Sequence, residues 1–349
     1  MPSNADGRPH RAAAQAQLDS LWQRGRDFLG SDYAILGGAM SWVSERHLVA
    51  AISNDGGFGV IACGSLEPTG LRAEIEGTFA LTDKPFGVNL ITMHPELDGL
   101  IDCCLDLKVG HIVLAGGLPP VDAIDRIKGG GAKVICFAPT VSVARKLLRR
   151  GVDAFIIEGM EAGGHTGPVT TGVLSQELLP ELREVPVFVG GGIGRGELIT
   201  AYLEMGASGV QLGTRFVCAE ESIAHPNFKR AFIRSNARDA QLSVQLDPQF
   251  PVIPVRAIVN NATTLFMETQ RDVIARYRAG EVDQKAAQLE IERFWAGALR
   301  GAVIDGDIDH GSVMAGQSVG MVTREQSMHD IIDELIEQAL ATFERRMER

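Results

Sequence analysis

The residues best placed to do chemistry fall in one run, Glu158-Gly159-Met160-Glu161-Ala162-Gly163-Gly164-His165-Thr166-Gly167. A histidine with glycine on both sides within three residues belongs to a loop, not to a packed core. Imidazole there can act as acid, base or hydrogen-bond donor near neutral pH. His165 is therefore the candidate catalytic residue, and the competing reading is a structural loop histidine. A second group carries bare backbone instead of titratable side chains: Gly190-Gly191-Gly192-Ile193-Gly194 and Gln211-Leu212-Gly213-Thr214. Glycine N–H groups can approach an anion closely, and a helix N-terminus adds a favourable dipole. The pair reads as a phosphate cradle, with simple tight turns as the alternative. Two other segments carry less. Gly306-Asp307-Ile308-Asp309-His310-Gly311 lacks the further ligands of an EF-hand, so its acids read as turn residues. His225-Pro226-Asn227 reads as the entry to a helix.

These loops need elements to hold them. Eight short apolar runs without alternation are expected as strands: 34–40, 58–62, 87–91, 111–115, 134–137, 154–157, 187–189 and 209–212. Lack of alternation marks strands buried on both faces of a parallel sheet. Segments of helical period separate them, at 45–53, 71–80, 97–107, 121–128, 143–149, 174–182 and 197–204. Eight strand–helix units predict an α/β fold, a (β/α)8 TIM barrel. The glycines then fall at strand C-termini, the active-site face of such a barrel. The histidine loop follows the sixth strand and the cradle follows the seventh and eighth.

After the eighth strand, residues 219–300 carry helical patterns at 228–234, 257–278 and 284–299. They predict an inserted helical subdomain over the barrel mouth. A glycine-rich return, 301–320, leads to an amphipathic helix over 325–345. The expected organisation is residues 1–30 as an N-terminal helical extension, 31–218 with 301–349 as the barrel, and 219–300 as the covering subdomain.

Composition limits the partners. With 33 Lys and Arg against 44 Asp and Glu, the formal net charge is −11, so no basic field awaits a nucleic acid. The five cysteines are scattered, with no CxxC and no Cys/His cluster, so no metal site and a reduced, cytoplasmic setting are expected. The polar start, residues 1–10, does not read as a signal peptide. No apolar stretch reaches the ~18 residues of a membrane span.

At these motifs the sequence resembles the flavin-dependent barrel enzymes that include nitronate monooxygenase (2-nitropropane dioxygenase) and enoyl-acyl-carrier-protein reductase II. The likeness runs from about residue 33 to about residue 336. It rests on Asp83-Lys-Pro-Phe-Gly-Val-Asn89, Glu158 to Gly167, Gly190 to Ile193, Gln211 to Phe216 and Gly306 to Gly320. Three stretches look more like the enoyl reductase branch: Glu161 to Thr171, Glu221 to Lys229 and Gly311 to Gln317.

The resemblance implies FMN held noncovalently at the mouth. It would place Gly38 and Met40 along the isoalloxazine, Asn89 on the ring or ribityl chain, and Glu158 facing the flavin. Gly190, Gly191, Gly192, Gly213 and Thr214 would hold the phosphate end, and Gln211 would also contact the cofactor. Gly163 and Gly164 would border the cofactor, and Ala315, Gly316 and Gln317 would close over it. One departure stands out: the family's Gln-Gly-Gly-Met is Gly37-Gly38-Ala39-Met40 here.

The implied activity is hydride transfer from NADH or NADPH through FMN to a trans-2-enoyl thioester, as in type II fatty acid synthesis. An acyl carrier protein would be the partner, and a homodimer would suit the last helix. Arg215, Lys229, Arg230 and Arg256 are candidates for a basic patch facing that acidic carrier. The alternative is nitronate monooxygenase, oxidising nitroalkanes or nitronates with O2 and using His165 as base. An NADH:quinone reductase, a flavin protein without turnover and a non-redox sugar-phosphate barrel are further readings. Against the last, no lysine stands at a predicted strand end to form a Schiff base.

Overall fold

The computed structural model describes residues 7–247 and 253–348. The first six residues of the expected extension, residues 248–252 of the expected subdomain and residue 349 lie outside the described residues.

The strands in chain order begin with β1 (Ile35–Gly37), β2 (Val60–Ala62), β3 (Gly87–Ile91), β4 (His111–Ala115) and β5 (Lys133–Phe137). They continue with β6 (Ala154–Glu158), the two-residue β7 (Gly164–His165), β8 (Val187–Gly190) and β9 (Gly209–Leu212). All of these except β7 form one parallel sheet in the order β1-β9-β8-β6-β5-β4-β3-β2. A parallel bridge between Leu36 and Phe58 brings the two ends of the sheet together. The result is a nearly closed (β/α)8 barrel. Its strands are apolar on both faces because helices cover the outside and side chains fill the inside. Val88, Leu90, Ile112, Val134, Phe155 and Ile156 have no exposed surface.

The first strand is shorter than the sequence suggests. It ends at Gly37, and the chain turns away at Gly38, whose N–H still donates to Leu212 O at 2.8 Å. The last residue of that run, Met40, serves a turn: its N–H donates to Ser44 Oγ and its carbonyl accepts from Val43 and Ser44.

The helix Gly7–Leu29 closes the opposite, N-terminal end of the barrel, burying Ala14, Leu18, Trp22 and Leu29. It lies so close that a Cβ on Gly25 would sit 2.0 Å from Ser208 O. The Phe28 carbonyl accepts from the His111 ring at the start of β4 and from Lys133 Nζ at the start of β5. Burial pushes the His111 imidazole down to about 4. The last helix, Met328–Met347, packs on this helix and on the helix Gly196–Glu204. Its apolar face (Ile331, Leu335, Ala339 and Phe343) is therefore covered within the chain.

After β9 come the helix Pro226–Arg234, β10 (Ala240–Leu242), β11 (Val255–Ile258), the helices Asn261–Arg278 and Gln284–Arg300, and β12 (Val313–Met314). Three helices match the periodicity, and His225 caps the first by accepting from Asn227 N at 3.1 Å. The strands are a finding the periodicity does not contain. β11 pairs antiparallel with β10, with β12 and, at Val255–His165 and Arg256–Gly164, with β7. The segment also has its own small apolar core of Val255, Phe266, Val273, Ile274, Ala287, Ile291 and Trp295. Among the described residues no helix is long and apolar enough to cross a membrane.

Candidate active site

The C-terminal ends of β6, β8 and β9 stand side by side, with Glu158 opposite Gly190 and Gly190 opposite Gln211. This register explains a contact across three strands. Gly190 has no side chain, so the Gln211 amide reaches over it and donates to Glu158 Oε2 at 2.9 Å. A Cβ at Gly190 would lie 3.3 Å from Gln211 Nε2. Glu158 lies deep in the molecule yet keeps accessible surface, so it borders a space within the mouth. Burial pushes its carboxyl up to about 7, against the opposing effect of the Gln211 hydrogen bond.

The two glycine loops adjoin this row. Gly191 and Gly192 take left-handed φ values of 101° and 74°. A Cβ on Gly191 would meet Thr171 Oγ1 at 2.8 Å and Gly159 O at 2.9 Å. One strand over, a Cβ on Gly213 would lie 3.4 Å from Met40 Sδ. Gly38 faces Gln211 and Gly213 in the same corner. Asn89 stands on β3, 5% exposed, and donates its amide to Val113 O at 3.1 Å.

The loop after β6 is clamped from three sides. Glu161 Oε2 accepts from both Thr171 N and Thr171 Oγ1 at 2.8 Å, at the start of the helix Thr171–Leu178. The returning segment ties the loop to β9: Gln317 N donates to Glu161 O, and Gly316 N donates to Thr214 Oγ1, each at 2.9 Å. Gly163 fits beneath this bridge, where a Cβ would meet Gly316 N at 2.6 Å and Ala315 C at 2.7 Å. Gly164 and His165 then form β7 against β11, so the His165 backbone is fixed while its side chain is exposed. The adjacent Thr166 Oγ1 is buried without a hydrogen-bond partner in the structure, as is Thr92 Oγ1 beyond β3.

The fold thus brings together Gly38, Met40, Glu158, Gly163, Gly164, His165, Gly190, Gly191, Gly192, Gln211, Gly213, Thr214, Ala315, Gly316 and Gln317, with Asn89 on another wall of the barrel. Thr171 and Glu161 emerge as the residues that join the two loops. Their partnership spans ten positions and leaves no periodic trace. Trp42 is also newly visible: it holds a φ of 67°, and its buried Nε1 has no partner. Such strain in a bulky residue is uncommon outside functional loops.

The basic patch is not formed by three of its four candidates. Arg215, Lys229 and Arg256 are each 5% exposed or less. Arg215 binds Gln326 and Glu334, Lys229 binds Ala219 O and Glu325, and Arg256 binds Met160 O and Ala240 O. Only Arg230 of the four is exposed. The acids of 306–311 make a turn, with Asp307 Oδ1 accepting from the N–H groups of Asp309 and His310. The five cysteines are buried free thiols.

A parallel barrel whose adjacent strand ends are bare glycine backbone, beside a deep carboxyl and an exposed histidine, defines a cofactor-type barrel enzyme. The chain belongs to the nitronate monooxygenase family, whose model matches residues 23–100 and 96–338. It is a flavin-dependent oxidoreductase. It is 28% identical over 339 residues to a (3aS,4S,5R,7aS)-5-hydroxy-7a-methyl-1-oxo-octahydro-1H-indene-4-carboxyl-CoA dehydrogenase of Rhodococcus jostii, covering 90% of this chain and 94% of that one. It is 28% identical over 324 residues to a nitronate monooxygenase of Paraburkholderia phytofirmans, covering 77% and 87%. Among solved structures, FabK from Thermotoga maritima superposes with a TM-score of 0.81 at 34% identity, covering 93% of this chain and 98% of that one.

The family's FMN fits the residues present. At Gly191 and Gly192 a side chain would be strained and would crowd Thr171 and Glu161, so these turns present bare backbone; Thr214 adds a hydroxyl, and Thr166 Oγ1 and Thr92 Oγ1 are buried polar atoms without partners.

Proposed function

We propose that this protein is an FMN-dependent enoyl-acyl-carrier-protein reductase, taking reducing equivalents from NADH or NADPH to saturate a trans-2-enoyl thioester. The observation that carries the reading is His165: an exposed ring on a backbone held by pairing with Val255, at the mouth of the barrel. Further support comes from the superposed structures, where identity is 34% to FabK, an enoyl-acyl-carrier-protein reductase II, and 26% to a nitroalkane oxidase of Streptomyces ansochromogenes. The Rhodococcus relative, named for a carboxyl-CoA substrate, also favours a thioester.

When bound, FMN supplies the hydride-transfer chemistry. Gly190, Gly191, Gly192, Gly213 and Thr214 would hold its phosphate end, while Gly38, Met40, Asn89, Glu158 and Gln211 would border the ring and ribityl chain. Gly163 and Gly164 would flank it, and Ala315, Gly316 and Gln317 would close over it. His165 hydrogen-bonds the thioester carbonyl or delivers a proton to the α-carbon, stabilising negative charge as it develops on the substrate. Residues 219–247 and 253–300 form the cover that shields the acyl group from water. Residues 7–30 serve as a plug on the far end of the barrel.

The family match also favours a second reading, nitronate oxidation with O2, in which His165 is the base. Incubation under nitrogen with crotonyl thioester and NADH or NADPH separates the two. Butyryl thioester detected by mass spectrometry, in amounts matching nucleotide consumed, is expected. No saturated product, together with O2-dependent consumption of a nitronate, would overturn the proposal in favour of the second reading.

A further inference from the structure

Glu158 is the one carboxyl set into the row formed by β6, β8 and β9, and its described partner is the neutral Gln211 amide. A carboxylate with a single neutral donor is poorly stabilised away from water, so its protonated form competes near neutrality. Burial raises it to about 7, and no charged neighbour contributes to that shift.

The groups on surrounding elements are engaged elsewhere. Glu161, on the following loop, is bound to Thr171, and Arg256 on β11 is bound to the carbonyls of Met160 and Ala240. Cys136 on neighbouring β5 is kept a neutral thiol by burial, pushed to about 12. His165 lies on β7, with its backbone paired to Val255. β8 and β9 offer only Gly190 and Gln211 at this level, and β3 offers the neutral Asn89. Glu158 is therefore a proton site whose described partner is neutral, beside the glycine corner that fits FMN.

We infer that Glu158 takes up one proton from solvent when the bound flavin is reduced, so that the mouth does not carry two negative charges. In balance, a two-electron donor gives the flavin two electrons. The flavin's own proton uptake is unchanged by this residue. One additional proton passes from water to the Glu158 carboxylate, forming the acid. The added electrons favour that acid by raising its affinity for the proton above its value beside oxidised flavin. This concerns the flavin site alone and holds for either substrate class.

The test is an equilibrium reductive titration of the FMN-loaded holoenzyme with dithionite and a reference dye, between pH 6 and pH 9. Each proton coupled to the reduction changes the equilibrium tenfold per pH unit, about 30 mV for a two-electron couple. Above neutrality the wild type is expected to exceed Glu158→Gln by one such increment per pH unit. Anaerobic reduction in weak buffer should take up one proton more in the wild type than in that variant. Equal slopes and equal uptake would overturn the inference. Gln211→Met provides an independent arm should Glu158→Gln bind FMN poorly. Loss of the amide donor removes stabilisation of the carboxylate, so the steep region must move to higher pH, and an unmoved region would overturn the inference.

Discussion

Replacing Gly191 with alanine probes the cradle at its tightest point. The backbone there has a φ of 101°, which an L-residue adopts only under strain of about 1–3 kcal/mol. The new Cβ would also lie 2.8 Å from Thr171 Oγ1 and 2.9 Å from Gly159 O. Thr171 is held by Glu161 and Gly159 is backbone, so neither yields cheaply. Overpacking of this kind adds roughly 1–3 kcal/mol. The least costly relief is for the loop 190–194 to lift away from Thr171, which moves the groups assigned to the FMN phosphate. A loss of at least about 2 kcal/mol in cofactor binding is expected, a Kd increase of about 30-fold. Titration of the apoprotein with FMN, followed by fluorescence quenching, reads that change, and circular dichroism melting checks the fold. Gly172→Ala is the control: it lies one residue past Thr171 in a helix, and its Cβ would meet nothing within 4 Å. It should bind FMN normally and melt no lower, since alanine is favoured over glycine in helices by about 0.5–1 kcal/mol. Wild-type affinity in Gly191→Ala with an unchanged melt would refute the assignment of this loop to the phosphate.

Two further outcomes follow from the packing. Glu161→Ala removes the acceptor shared by Thr171 N and Oγ1; Glu161 is half-exposed and water replaces part of the loss, so about 2 kcal/mol is expected. Hydrogen exchange should rise in 159–170 and in 190–194 together, and a rise in only one would deny that Glu161 couples the loops. His111 makes stability depend on acid. Its ring stays neutral in the folded chain to about pH 4, whereas the unfolded ring titrates near ~6.5. The unfolded state therefore binds the extra proton between those values, and roughly 3 kcal/mol present above pH ~6.5 is lost as pH falls toward 4. Urea midpoints measured across that range should flatten by one proton in His111→Gln, and an unaltered slope would assign the acid sensitivity to another group.

The barrel was readable because buried parallel strands leave a simple trace: 154–157 and 187–189 are uninterrupted apolar runs that fall within β6 and β8. The glycine loops were readable because strand order alone places them at one mouth. What periodicity missed is non-local. β7 is two residues long and pairs with β11 ninety positions away, so neither edge carries a pattern of its own. Arg256 looked like surface charge by type, yet it lies within β11 and satisfies two carbonyls. Thr171 lies ahead of the helical segment expected at 174–182, and only the fold brings Glu161 and Gly191 to it. The helical reading of 219–300 failed to include β10 and β11 because a short strand between long helices contributes little to any window.

The most direct test of the central claim, that His165 serves an enoyl thioester at this mouth, is anaerobic stopped-flow on the FMN-loaded protein. The flavin is first reduced with NADH or NADPH, then mixed with crotonyl thioester while its visible absorbance returns. The wild type is expected to reoxidise rapidly without O2. His165→Ala should be reduced by nucleotide at a similar rate yet reoxidise about 10²–10⁴-fold more slowly, the usual weight of a positioned acid or hydrogen-bond donor. Reoxidation by the thioester at the wild-type rate in His165→Ala, or no reoxidation by the thioester in the wild type, would contradict the claim.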